Sequence, residues 1–252
     1  MSCVTVRGVT LGKGRPKIIV PIVEKDPRMA VKRAAEYTWS DPDLLEWRLD
    51  WLDELPDVEI LAAMRRAAGR IPLLFTFRTR AEGGEKDLSM AEYRNLYAAL
   101  CRSGCADLID VELSHGAGIV QSILSDAHNN GVAVVLSSHD FKGTPSQSQL
   151  LAKLDLMRQL GADIAKIAVM PQTQADVLTL LGATWAMHTQ YPELPLITMS
   201  MGALGQVSRV VAESFGCCAT FGTAGKASAP GQVACEPLRK ALDGLHEVYK
   251  ED

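Results

Sequence analysis

No apolar run in this 252-residue chain approaches the roughly 20 residues that a bilayer-spanning helix needs, and the opening Met1-Ser2-Cys3-Val4-Thr5-Val6-Arg7 lacks the apolar block of a secretory signal. No membrane span and a cytoplasmic location are therefore expected. Long single-sign charge runs are missing too: 26 Lys and Arg stand against 30 Asp and Glu, a net charge of −4 spread along the chain. Proteins that grip nucleic acid or an anionic membrane surface draw affinity from clustered basic residues, so neither is an expected partner. The six cysteines include no CxxC pair and no histidine at ligand spacing. That speaks against structural zinc and for buried or helix-surface thiols in a reducing compartment. No strand candidate is followed by GxGxxG or GxxxxGK[ST], so the usual nucleotide-binding open sheets lose their signature. Neither a linker nor a low-complexity tract interrupts the chain, and one domain over residues 1–252 is expected.

What is present is enough for a full core, since 47% of the residues are hydrophobic and 22% charged. Apolar, β-branched runs recur at even intervals and predict eight strands: Lys17–Val23, Leu44–Leu49, Pro72–Arg78, Asp107–Glu112, Val132–Ser138, Asp163–Val169, Pro195–Ser200 and Cys218–Gly222. Helical spacing fills the intervals: Met29–Tyr37, Val58–Ala68, Met90–Ser103, Gly116–Asn129, Ser146–Leu160, Gln174–His188, Leu204–Phe215 and Gln232–Tyr249. Eight such alternations predict an α/β fold of the closed (β/α)8 barrel type, with an open doubly wound sheet as the competitor. Ahead of the first strand, residues 4–12 read as a short N-terminal β-hairpin able to plug the barrel bottom.

Barrel active sites are built at the C-terminal strand ends, where inward-facing ionisable residues are informative. In Glu46-Trp47-Arg48-Leu49-Asp50, period two turns Glu46, Arg48 and Asp50 inward, as a polar cradle for a hydroxylated substrate or as an internal salt-bridge cluster. Arg78 ends the third strand and precedes a glycine-containing loop with Glu82; His139 ends the fifth. Lys166 stands alone among the small and apolar residues of Asp163–Val169. A lysine there is costly to bury unless paired or neutralised, so it is either an amine nucleophile or a cation whose stem packs inside while its head reaches an internal carboxylate such as Glu46. The loops after strands seven and eight are rich in small residues and precede or contain Arg209, Ser228 and Gln232. Such loops bind anions in many barrels, and residues 223–232 form a candidate active-site lid or a plain surface loop.

Taken together, Glu46-Trp47-Arg48-Leu49-Asp50, Phe75-Thr76-Phe77-Arg78 with Glu82-Gly83-Gly84-Glu85, Ser138-His139-Asp140-Phe141, Lys166-Ile167-Ala168-Val169-Met170-Pro171 and Ser228-Ala229-Pro230-Gly231-Gln232 resemble the type I 3-dehydroquinate dehydratases, from about the first strand to the last helix. The resemblance implies a metal-free, cofactor-free (β/α)8 homodimer that removes water from 3-dehydroquinate to give 3-dehydroshikimate in the shikimate pathway. It assigns Schiff-base formation to Lys166, proton transfer to His139 and orientation of that histidine to Glu82. It places Glu46, Arg48 and Arg78 at the substrate hydroxyls or the pocket wall, Arg209 at the substrate carboxylate, and Ser228 and Gln232 in the closing lid. Pro21 stands where some members carry serine, and the loop at residues 202–205 lacks charges that some members have. A class I aldolase or transaldolase also uses a strand lysine, and a sugar-acid binding protein without turnover would use Lys166 only to pair with a carboxylate.

Overall fold

The period-two apolar runs become parallel strands in the computed structural model, which describes residues 3–225 and 227–249. A hairpin of β1 (Val4–Val6) and β2 (Val9–Leu11) comes first. Its turn residues Arg7 and Gly8 take φ of 46° and 82°, the positive values that a tight two-residue hairpin turn demands. The barrel strands follow: β3 (Lys17–Ile22), β4 (Leu44–Arg48), β5 (Leu73–Thr76), β6 (Leu108–Glu112), β7 (Ala133–Asp140), β8 (Ile164–Val169), β9 (Leu196–Ser200) and β10 (Ala219–Thr223). Neighbours from β3 to β9 pair in chain order, and β10 returns beside β3. The seam between β9 and β10 closes where Leu196 pairs with Cys217 and the Cys218 N–H donates to the Leu196 carbonyl at 2.8 Å.

Alternation sends one set of side chains inward, including Ile19, Leu44, Leu74, Leu108, Val135, Ile164 and Ile197, and Leu11 of the hairpin packs fully buried against them. The hairpin is thus the expected plug. The other set, with Trp47, Phe75, Ile109, Leu136 and Ile167, lies beneath the helices. These are α1 (Pro27–Tyr37), α2 (Val58–Ala68), α3 (Met90–Arg102), α4 (Ala117–Asn129), α5 (Gln147–Gln159), α6 (Gln174–Gln190), α7 (Gly202–Val210) and α8 (Cys235–Tyr249). Ser89, Ser146 and Thr173 open α3, α5 and α6 with reciprocal capping boxes, satisfying N–H groups that a helix start leaves unpaired.

Two expected helices differ in extent by more than two residues at one end. The Leu204–Phe215 candidate starts earlier, at Gly202, and stops at Val210, leaving a separate 3-10 turn at Glu213–Phe215; the break follows the β-branched pair Val210-Val211, which disfavours helix. The Gln232–Tyr249 candidate begins only at Cys235, because Val233–Ala234 (β11) pairs in parallel with Gly222 and Thr223. Pro237 then falls in the first turn, where a missing N–H is tolerated. Lys226, inside the lid segment 223–232, and the ends of the 1–252 domain at 1–2 and 250–252 lie outside the described residues.

Candidate active site

Glu46, Arg48, Arg78, Glu82, His139, Lys166, Arg209, Ser228 and Gln232 line one cavity, whereas Asp50, also expected to face inward, does not line it. Ala168, Met199, Met201 and Phe221 complete an apolar floor. The salt-bridge cluster is present, and several of its members also line the cavity.

Arg48 is clamped by Asp50, Nε to Oδ1 and Nη2 to Oδ2, both at 2.8 Å. Asp50 sits in a 3-10 turn at Leu49–Trp51 rather than in the strand, and it also accepts the backbone N–H groups of Arg78 and Glu85. This fixed fork leaves Arg48 facing the cavity, with its pKa raised: burial opposes the charge, and the Asp50 carboxylate more than offsets that. Glu46 accepts the Thr76 hydroxyl at 2.8 Å.

Arg78 is the hub of the β5–β7 side. It donates to Asp110 Oδ1 at 2.6 Å, to Glu112 Oε1 at 3.1 Å and to Ser137 Oγ at 2.9 Å, and its Nη1 lies 3.7 Å from Glu82 Oε2. Lys166 Nζ donates to Asp110 Oδ2 at 2.8 Å and stands 4.6 Å from the centre of the Phe221 ring. The lysine's partner is therefore Asp110, not the expected Glu46, which the Thr76 hydroxyl holds on another strand. Burial disfavours the Asp110 charge, but Arg78 and then Lys166 outweigh it and hold the carboxyl well below its ordinary range.

Three carboxylates share the two cations Arg78 and Lys166, and the surplus shows at Glu82. Burial pushes its carboxyl up to about 7; Arg78 pulls the other way, and Glu112 adds repulsion. Glu82 Oε1 accepts the Ser114 hydroxyl at 2.8 Å, and Oε2 lies 2.9 Å from His139 Nδ1. Burial, then Arg78 and Lys166, push the His139 imidazole well below its ordinary pKa, so the ring is neutral at neutral pH.

Among the described residues no carboxylate pairs with Arg209. Fully buried, it makes long contacts, Nη1 to the Phe221 carbonyl and to Met199 Sδ, both at 3.4 Å, and Nη2 to the Pro230 carbonyl at 3.3 Å, and among the described residues its Nε has no partner. Burial alone lowers its pKa, to about 10. A guanidinium this deep without a counter-ion is costly and makes the cavity a site for an anionic group. Beside it runs the loop that holds Pro230, where the Ser228 N–H donates to Gln232 Oε1 at 2.9 Å and Gln232 Nε2 donates to Ser228 Oγ at 3.0 Å.

A family model described as Type I 3-dehydroquinase matches residues 18–248. The chain belongs to that family. It is 46% identical over 247 residues to the 3-dehydroquinate dehydratase of Bacillus licheniformis, covering 96% of this chain and 97% of the relative. To the Salmonella typhimurium protein of the same name it is 46% identical over 98% of this chain and 100% of the relative. Among solved structures, the type I 3-dehydroquinate dehydratase of Clostridium difficile, bearing covalently modified comenic acid, is 42% identical with a TM-score of 0.94, covering 98% of this chain and 100% of that one.

In this type I 3-dehydroquinase, sequence reasoning missed Asp110, Glu112, Ser114 and Ser137, all of which touch the ionised groups of the site. A signal existed for the first two. Leu108-Ile109-Asp110-Val111-Glu112 alternates as Glu46-Trp47-Arg48 does, so period two alone turns Asp110 and Glu112 toward Arg78.

Proposed function

We propose that this protein eliminates water from 3-dehydroquinate to give 3-dehydroshikimate through an imine on Lys166. The observation that carries the reading is the shared cavity: an amine isolated on a strand, a neutral imidazole and an uncompensated buried guanidinium all face it. The substrate's carboxylate takes Arg209, a charge-assisted contact worth more than the long backbone contacts it replaces. Its ketone meets Lys166, and its hydroxyls meet Glu46 and Arg48, with Arg78 in the wall behind.

The chemistry needs both an electron sink and a proton carrier. A proton beside a ketone is too weakly acidic for an imidazole to remove readily. The Lys166 ammonium sheds a proton, the freed lone pair bonds to the ketone carbon, and the ketone oxygen departs as water with the two protons that nitrogen gives up, leaving an iminium. His139 takes the adjacent proton, and the electrons of that C–H bond move onto nitrogen as an enamine. The enamine then re-forms the iminium and expels the β-hydroxyl, which leaves as water with the proton returned by His139. Water hydrolyses the product iminium and frees Lys166. One imidazole as base and then acid requires a syn elimination, and Glu82, bonded to Nδ1, leaves Nε2 for the work.

Incubation with 3-dehydroquinate tests the reading by absorbance of the conjugated enone product, combined with borohydride trapping and peptide mapping. Enone formation and a single adduct at Lys166 are expected. Carbon–carbon cleavage would assign an aldolase, and ligand binding without an adduct would leave only a binding protein.

The working form is proposed as a cytoplasmic homodimer. Leu178 and Trp185 on α6, and Leu204 and Val207 on the adjoining α7, are large apolar side chains between 44% and 68% exposed in the single chain. Apolar surface of that kind on neighbouring helices suits a subunit contact. Sedimentation should give a dimer that Trp185→Glu dissociates; a monomeric wild type would sink this part.

A further inference from the structure

Asp110 has no place in the chemistry just described, although its carboxylate lies 2.8 Å from the nitrogen on which that chemistry occurs. It is fully buried and stands outside the cavity wall, whereas Lys166 is part of that wall. A ketone arriving from the cavity therefore does not displace it. Its other oxygen is fixed by Arg78 and by the Ser137 hydroxyl, each at 2.6 Å. Its backbone carbonyl accepts the Tyr97 hydroxyl from α3. A carboxylate held on three sides cannot follow a moving partner; the nitrogen must stay with it.

The charge on that nitrogen is the same before and after the imine forms. An ammonium and a ketone become an iminium and water, the two protons shed by nitrogen leaving with the ketone oxygen. We propose that Asp110 is the fixed counter-ion of the Lys166 nitrogen, first as ammonium and then as iminium, and so sets the pH range over which the imine persists in its electron-accepting form. The inference rests on the imine reading above.

The surroundings favour Asp110 for this role over its neighbours. From β4, Arg48 is committed to Asp50, and Glu46 accepts from Thr76. Glu112, also on β6, accepts Arg78 and the Thr79 N–H and hydroxyl. Glu82 is bound to Ser114 and His139, and His139 on β7 is neutral at neutral pH. Phe221 of β10 turns its ring face toward Nζ, a second feature that favours a cation there. Among the described residues, only Asp110 combines contact with Nζ and a pKa low enough to stay ionised throughout.

Asp110→Asn keeps the shape and removes the charge. The test is the pH dependence of borohydride trapping with 3-dehydroquinate in wild type and variant, since borohydride reduces the iminium and not the neutral imine. Losing an opposite charge at this range should move the alkaline limit of trapping down by about 1–3 pH units. A merely structural aspartate would lower thermal stability and kcat and leave that limit in place, which overturns the proposal. A wild type that cannot be trapped at Lys166 at any pH overturns the imine reading, and this proposal with it. Should Asp110→Asn fail to fold, ¹⁵N-lysine labelling of His139→Ala loaded with 3-dehydroquinate gives the same information. An iminium shift retained above the pH at which a simple iminium in water loses its proton supports the counter-ion, and loss of the proton at that ordinary pH overturns it.

Discussion

Glu82 Oε2 lies 2.9 Å from the backbone nitrogen of His139 and 2.9 Å from its ring Nδ1, so one carboxylate oxygen fixes both the strand end and the imidazole. Ionised, this oxygen accepts the Nδ1–H and leaves Nε2 as the free base. Since burial pushes the Glu82 carboxyl up to about 7, kcat/KM should climb as pH rises through about 7. Glu82→Gln, which cannot titrate, should lose that limb. An unchanged limb in the variant would place the ionisation elsewhere.

The same burial has a consequence for stability. The unfolded chain releases the Glu82 proton near its ordinary value of 4.5, while the folded chain keeps it to about 7. The native state thus binds more protons across that window, and this contribution to stability falls as pH rises through it. His139 acts with the opposite sign below about 6.5, where the unfolded histidine takes a proton that the folded one refuses. At pH 8 only the Glu82 cost persists, on the order of 3 kcal/mol. Glu82→Gln should therefore melt higher than wild type at pH 8 and lose that advantage toward pH 5; equal melting temperatures at both would contradict the buried-charge account.

His139→Ala separates imine formation from elimination. Loss of a general acid–base group should slow water elimination by at least about 10²-fold, while Lys166 still forms the imine. After borohydride quenching, the variant should carry an adduct of substrate mass where wild type carries mostly product. Full turnover would move the base to another group, with Glu82 next in line.

The place of these side chains in the cavity was legible in the sequence wherever a single residue broke a local pattern: Lys166 among small apolar neighbours, His139 at a strand end, Arg48 in an alternating run. The barrel itself was legible because eight period-two runs alternate with helical ones. Pairing was not. Which carboxylate meets Lys166 depends on strands 56 residues apart in sequence, and only the barrel's closure decides that Asp110 on β6 reaches it. Helix ends at Val210 and Cys235 were likewise hidden, since a two-residue parallel pairing with β10 overrides the helical spacing before Cys235.

Arg209 should be a stability cost that ligand repays. Arg209→Met removes a buried charge whose partners among the described residues are two weak backbone contacts and the Met199 sulfur, so the free variant should melt as high as wild type or higher. Substrate binding should weaken by at least about 30-fold, since truncating a buried charge pair costs about 2–5 kcal/mol or more. A variant that melts far lower, with binding intact, would make the arginine structural.

The loop that carries Ser228 and Gln232 is tied down at Pro230, next to a glycine. The Pro230 carbonyl accepts the Gly202 N–H at 3.2 Å as well as Arg209, which ties the loop to the start of α7. The next residue, Gly231, has φ of 78°, and a Cβ there would stand 2.3 Å from the Gly202 carbonyl oxygen. Gly231→Ala adds both backbone strain and that collision, so it should unseat the loop. Gln232→Ala removes only the paired bonds to Ser228. Both variants should raise KM or lower kcat, Gly231→Ala the more, because an open loop admits water and leaves the substrate unclamped. Since Gln232 bonds only within the loop, its loss should change the stability of the free protein by no more than about 0.5 kcal/mol. A melting temperature that falls in step with activity for Gln232→Ala would show the glutamine holding up the fold and not the ligand.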